Sequence, residues 1–556
     1  MLEDLDLSGL PDERSRDLVL RLLNLIETVT TDLRAVQAEN QRLHDELNRL
    51  KGEQGKPTVK PNARPETPPD HSSERERKLP KDHHKRAKLT TITVDREQVL
   101  TIDPASLPQD ARFTGYKEVT VQDLRLQTDT VRFLKEEYYS ASTKQTYLAP
   151  LPAGYAGEFG PGIKALTLVF YYASQMSEPK ILEFFLHLGV QISAGTISNL
   201  LIKEQQAFHA EQDAAYLAGL RSSPWQHLDD TLTRVNGKNE HCHVVCNPLH
   251  TTYRTTPKKD RLTILDVLTN GRARQFLLND DALAYLDALG IAQVRRRQLL
   301  HLPRDQMFCE QTLLGLLTEH LPGVGAQTQK WIVEALAVSA YHAQSEVPIV
   351  RLLMCDDAPQ FQWVTDELAL CWVHAGRHFK KLEPCVALHR EHLERFLKQF
   401  WAYYHELREY AEAPTAAERE RLEEGFDQLF GGRTGYWALD ERIALTRVKK
   451  EELLVVLSHP EVPLHNNAAE LGARQRVRKR DVSFGPRTVE GRKAWDTFMS
   501  LAATTKKLGV SFYQYIHDRV SETNLLPSLA DLIDARATDL NLGASWEPAE
   551  ACPGSF

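Results

Sequence analysis

From Val19 to Leu50 apolar residues recur at alternating intervals of three and four, and this spacing constrains the chain more than any other feature. Val19, Ile26, Leu33, Asn40 and Leu47 occupy heptad a positions, and Leu22, Val29, Val36, Leu43 and Leu50 occupy d. A 3.5-residue repeat keeps one seam of a helix facing a partner, so the spacing predicts a coiled coil over residues 1–54. Ile26, Leu33, Asn40, Leu43 and Leu47 are its expected dimerisation residues. A buried Asn40 needs a second asparagine across the seam, which favours a parallel dimer in register. Glu39 at g would face His44 of the other copy, and Glu46 would face Lys51. The alternative is one amphipathic helix packed on the body of its own chain.

The remaining chain is too long for a single core: 556 residues imply three or more structural units. A net charge of −8 excludes a uniformly basic nucleic-acid binder but not local basic patches. One such patch is the Gly-, Pro- and Lys-containing stretch leading to Arg75, Arg77, Lys78, Lys81, Lys85, Arg86 and Lys88. It reads as a flexible basic linker over 55–90, able to follow phosphates. None of the seven cysteines precedes Cys242, which gives no disulfide framework and fits a reducing cytoplasm. The acidic N-terminus does not resemble a signal peptide, and no apolar run approaches the roughly 18 residues that cross a bilayer.

Short alternating runs predict a small β-rich unit over 91–160, with DNA-end binding as its candidate role. Residues 161–222 read as a helical, helix-turn-helix-like module. Glu178-Pro179 starts one helix, Gly189 ends it, and Ser193 caps the next. Its scarcity of arginine puts packing ahead of base reading. Asn236-Gly237 between β-prone runs predicts a hairpin within a three-stranded antiparallel meander. Asp229 and Asp230 fall in its first strand, where carboxylates are expensive to bury.

The run Val347 to Cys355 reads as a buried strand that delivers Asp356-Asp357 at its end, where α/β sheets place their chemistry. Leu464-His465-Asn466-Asn467-Ala468-Ala469-Glu470 opens a helix, and Arg474, Arg476, Arg478, Lys479, Arg480 and Arg487 follow. Taken one at a time, these features have plain structural readings. Asp229 or Asp230 can cap the hairpin, and either member of the second pair can be the functional one. Asn467 with Glu470 can be a capping box, and Glu470 with Arg474 an i,i+4 ion pair.

Together they resemble something more specific. His227-Leu228-Asp229-Asp230-Thr231, Met354-Cys355-Asp356 and Pro463 through Glu470 with Arg474 are similar to the three catalytic boxes of IS66-type transposases. Cys371-Trp372-Val373-His374-Ala375-Gly376-Arg377 resembles the stretch that follows the second box. The boxes occur in order over roughly residues 160–520. The resemblance implies an α/β RNase H-like catalytic domain over 223–520, with helical insertions near 260–345 and 385–458 and a C-terminal tail over 521–556. The coiled coil, β-rich unit and helical module precede it in a multidomain chain.

The resemblance further implies a catalytic triad, Asp229, Asp356 and Glu470, holding two Mg²⁺ ions, with Mn²⁺ able to substitute. Hard oxygen ligands suit Mg²⁺, and paired ions stabilise the attacking and leaving oxygens of a phosphodiester. The expected activity is strand cleavage at transposon ends and strand transfer into target DNA. The DNA partners are terminal inverted repeats and target, contacted by Arg474, Arg476, Arg478, Lys479, Arg480 and Arg487. Cys371 and His374 would order the active site. The resemblance also makes room for accessory proteins of the same element, with the chain acting in the cytoplasm at the nucleoid and at no membrane.

One departure is clear: the cysteine-rich zinc segment common before such catalytic domains is absent. Cys242 and Cys246, four apart on a strand, lie about 13 Å from each other, so zinc is not expected. Two other functions fit the same residues. One is a non-enzymatic DNA-binding protein, a decayed transposase or repressor. The other is a nuclease of the same fold that cuts without joining.

Overall fold

The computed structural model describes residues 12–51, 92–124 and 126–546. The expected basic linker, 55–90, lies outside the described residues, as does the end of the expected C-terminal tail.

A five-stranded mixed sheet forms the centre. Strands β1 (Trp225–Val235), β2 (Lys238–Cys246) and β3 (Thr251–Thr256) make an antiparallel meander. Strand β4 (Leu352–Cys355) pairs parallel to β1, and β5 (Glu367–Leu370) parallel to β4, giving the order β3-β2-β1-β4-β5. The β1–β2 turn is the expected one. Asn236 and Gly237 both take positive φ (49° and 76°), the conformation a tight hairpin needs and these residues tolerate.

Each face of the sheet is covered. On one, Leu228, Val245, Leu353 and Cys355 pack against helices between Arg261 and Ala343, which carry the chain from β3 to β4. On the other, Val244, Cys246 and Tyr253 pack against Ala469, Ala473, Trp495 and Phe498. The helix pair Glu178–His187 and Ala194–Ile202 buries Ile181, Phe185, Ile197 and Leu201 in this same core. Its apolar faces therefore pack on the body, and Ser193 caps its second helix by accepting from Thr196 N. A third core surrounds Trp372, whose ring meets Phe400, Tyr403 and Phe426 from helices between Ala387 and Gly431.

The expected β-rich unit is a correction. Within 91–160 the described residues form one two-stranded hairpin, Glu137–Ser140 with Gln145–Leu148. The alternating runs at 116–121 and 130–134 form no strand, and Tyr116, Val119, Val121 and Leu134 stay exposed. Alternation prepares a strand to bury one face, but it supplies no neighbouring strand to bond. Among the described residues no helix is long and apolar enough to cross a membrane.

The heptad segment is one helix, α1 (Glu13–Leu50). It docks on the body through the side away from its seam, burying Leu23, Asn24 and Glu27. Asn24 donates to Gly435 O and accepts from Trp437 N. Glu27 accepts from Cys385 N (2.6 Å), Val386 N (3.0 Å) and His389 Nδ1 (3.1 Å). It thereby caps the N-terminus of the helix Ala387–Glu412, where a negative charge is favoured. The seam is left uncovered: Ile26, Leu33, Leu43 and Leu47 are each 40–55% exposed, and Asn40 is exposed with them.

Removing the Glu27 carboxylate strands three buried donors, each costing about 1–3 kcal/mol when unsatisfied. Glu27→Ala should therefore lower the unfolding free energy by about 2 kcal/mol or more. Denaturant titration of the full chain measures it; an unchanged midpoint would mean that α1 is not seated by this residue.

Candidate functional site

The parallel pair β1–β4 aligns His227 with Met354. Carried two residues further, that register sets Asp229 level with Asp356 on neighbouring strands, which run about 4.8 Å apart. Asp356 follows the last residue of β4, and its carboxylate accepts from Ala358 N. The third acid comes from helix α2 (Asn467–Ser483), with Glu470 in its first turn.

Asn466 joins these parts. Fully buried, it donates from Nδ2 to Leu228 O (2.7 Å), and its Oδ1 meets His227 Nδ1 (3.0 Å). Its backbone N–H donates to Cys371 Sγ (3.3 Å), and its carbonyl accepts from Glu470 N. One residue thus ties β1, the start of helix α3 (Trp372–Lys380) and the first turn of α2. Two residues past Glu470, Gly472 lies so near β2 that a Cβ there would meet Val244 Cγ1 at 2.7 Å. Tyr253 Oη donates to Gly472 O across the same contact.

The electrostatics follow from crowding acids in a half-buried cleft. Burial first, then Glu470 and Asp356, push the Asp229 carboxyl up to about 7. Burial raises Asp356 as well, against the pull of His374. Glu470 accepts from Arg377 (3.1 and 3.3 Å) and lies 3.4 Å from His374 Nδ1. The other member of each Asp pair is engaged elsewhere. Asp230 meets Lys259 (3.2 Å) and, more distantly, His241, while Asp357 pairs with Lys449.

Cys371, His374 and Glu470 bring S, N and O donor atoms within 4.8 Å of one another, a tighter group than Asp229, Asp356 and Glu470 form. Burial raises the Cys371 thiol to about 11, so it accepts the Asn466 N–H as a neutral group. Cys242 and Cys246 are buried in the sheet.

Two residues of the basic segment are corrections. Arg476 is fully buried, bonded to Asp496 (3.1 Å) and Thr255, with its guanidinium over Trp495. Lys479 is equally buried. It donates to Tyr171 O (2.6 Å) with its ammonium 3.2 Å from the Tyr171 ring centroid, and burial lowers its pKa to about 7. Neither faces DNA. Arg478 and Arg487 are exposed, while Arg474 and Arg480 are half-buried, Arg480 bonding to Leu232 O.

The alternative of a capping box from Asn467 to Glu470 is not what forms. The N-cap is Asn466, with no side-chain cap bond, because its amide is spent on β1. The sequence pattern does not reveal the roles of Asn466 and Arg377, which bond to Leu228 O and to Glu470. The paired asparagines before Glu470 were the available signal.

A family model described as "Transposase IS66 family" matches residues 156–297 and 349–494. The two segments hold all three acids and leave out part of the helical insertion between β3 and β4. A Sinorhizobium fredii (strain NBRC 101917 / NGR234) protein named "Uncharacterized protein y4jO" is 34% identical over 330 residues, covering 58% of this chain and 99% of that protein.

Asp229 gives a pH signature. Its carboxyl holds a proton more tightly folded than unfolded, so its contribution to stability is full below about pH 4 and lost as pH rises through about 7. With divalent ions chelated, the wild-type chain should lose more stability than Asp229→Asn between pH 5 and 8. Denaturant midpoints measure this, and parallel profiles for the two proteins would contradict the shift.

Proposed function

The chain belongs to the IS66 transposase family, and on that premise we propose that it cleaves transposon ends and joins them to target DNA with Asp229, Asp356 and Glu470 as its catalytic acids. The reading rests on one observation above all: Asp229 is buried near enough to Glu470 and Asp356 to feel both charges, while Asp230 and Asp357 pair with lysines. The strand order, three antiparallel then two parallel, supports an RNase H-like fold interrupted by two helical insertions.

The donor set fits divalent ions. Burial first, and then the charges of Glu470 and Asp356, disfavour an ionised Asp229, a cost that a cation would relieve, and hard oxygen ligands suit Mg²⁺ or Mn²⁺. Bound there, two such ions would supply charge stabilisation to the attacking and leaving oxygens of a phosphodiester. The protein's own residues do the rest. Asn466 fixes α2 against β1, so Glu470 stays opposite Asp229. Arg377 and His374 orient the Glu470 carboxylate, and Cys371 anchors the helix that carries them. Arg478 and Arg487, with Arg474 and Arg480 beside them, provide positive charge for the DNA backbone leading away from the acids. The exposed seam of α1 supports self-association, two copies covering Ile26, Leu33, Asn40, Leu43 and Leu47 at once.

The test uses the full chain, the DNA flanking its own coding sequence and a plasmid target, with Mg²⁺ or a chelator. Asp356→Asn is nearly isosteric but lacks the charge. Metal-dependent nicking and joining, lowered at least about a thousandfold by the substitution, is the expected result. Cutting without joining would indicate a nuclease, and binding without cutting in both proteins a DNA-binding regulator.

A further inference from the structure

Helix α2 ends at Ser483, and the residue that caps it is a phenylalanine in the left-handed region. Phe484 has φ 57° and ψ 7°, and it is 86% exposed. Helices usually end this way on glycine or asparagine, because a side chain at positive φ costs roughly 1 kcal/mol. A bulky aromatic placed there and turned to solvent gains no packing in return.

The loop is nevertheless rigidly seated. Phe484 N donates to Arg480 O (2.7 Å). Gly485, at φ 92°, lies so close to the β1–β2 hairpin that a Cβ would meet Arg234 O at 2.3 Å. Asn236 N donates to Pro486 O (2.9 Å). The ring therefore stands on a fixed pedestal made by the hairpin tip.

Its surroundings are cationic. Arg234, Lys238, Arg478 and Arg487 are exposed at or near this tip, against Asp481 and Glu490. Glu470, Arg474 and Arg478 follow at four-residue intervals, so one face of α2 leads from the acids to the ring. Fourteen residues of helix span about 21 Å, and the seven from Asp229 to Asn236 along β1 span about 23 Å. At 3.4 Å per base pair that is about six base pairs.

We propose that Phe484 is a wedge that enters the stack of duplex DNA about six base pairs from the phosphate held at the three acids. This rests on the functional reading above and adds a site to it. Apolar side chains flanked by arginine are suited to partial unstacking of a base step, which a bent end would need to lie along α2. A second copy of the chain is the weaker occupant. The apolar patch is small, Phe484 with the exposed Val482, Val489 and Leu232, and its basic rim would repel itself across a two-fold axis.

The experiment uses the full chain, a chelator so that no strand is cut, and short duplexes from the DNA flanking its coding sequence. 2-Aminopurine is placed in turn at each position inward from the terminus. Wild-type protein should raise its fluorescence at one step, about six base pairs from the cut. Phe484→Gly suits the left-handed cap, so its unfolding midpoint should be equal or higher. It should abolish the fluorescence rise and weaken duplex binding about tenfold, and Phe484→Trp should restore both. No rise at any position with wild-type protein, or an undiminished rise with Phe484→Gly, would overturn the wedge. So would loss of self-association, in place of DNA binding, on sedimentation of Phe484→Gly. Because no cleavage is needed, failure here is separable from failure of the transposase chemistry.

Discussion

The site depends on the buried amide of Asn466. Strand β1, helix α3 and helix α2 come from three parts of the chain, each more than 80 residues from the next, and this one side chain and its backbone bond to all three. A buried amide with exact partners is directional where apolar packing is not. It sets which turn of α2 faces β1, and Gly472 then lets the helix close against Val244. Helix, strand and acids are positioned by the same contact.

That precision matters because the acids oppose the assembly. Burial and mutual repulsion push Asp229 up to about 7, so the surrounding structure must hold carboxylates where water and distance would be preferred. The cations buried behind them are part of the support. Arg476 bonds Asp496 and Thr255 beneath α2, tying it to β3 and to the helix Val489–Lys507. Lys479 satisfies the carbonyl of Tyr171 in the short π-helix Val169–Ala173. Positive charge in this segment thus has two uses, inward for cohesion and outward toward the expected DNA.

Much of this was legible in the sequence. The Asn236-Gly237 hairpin, the buried strand ending at Asp356 and the long N-terminal helix each carry a local signal strong enough to survive tertiary context. What was not legible depended on partners far along the chain. Arg476 and Lys479 look like the outward arginines until Asp496, Trp495 and Tyr171 are known to lie beneath them. The helix α1 and its exposed apolar stripe were readable from the spacing, but its docking side, Leu23, Asn24 and Glu27, has no periodicity and finds its partners more than 350 residues away. The alternation before residue 137 showed a strand-like pattern with no strand to pair it. Phe484 stood in plain view but acquires meaning only from its backbone conformation and exposure.

The most direct test of the account is Mn²⁺ affinity of the full chain with Asn466→Ala, compared with wild type and Asp229→Asn. Asn466 carries no charge and is not among the proposed ligands, so any effect on metal binding must pass through the positions of β1 and α2. With circular dichroism showing the fold retained, the account predicts that Asn466→Ala weakens Mn²⁺ binding about tenfold or more, approaching the loss from removing a carboxylate. Wild-type affinity in a folded Asn466→Ala protein would show that the acids converge without this residue, and would contradict the account at its centre.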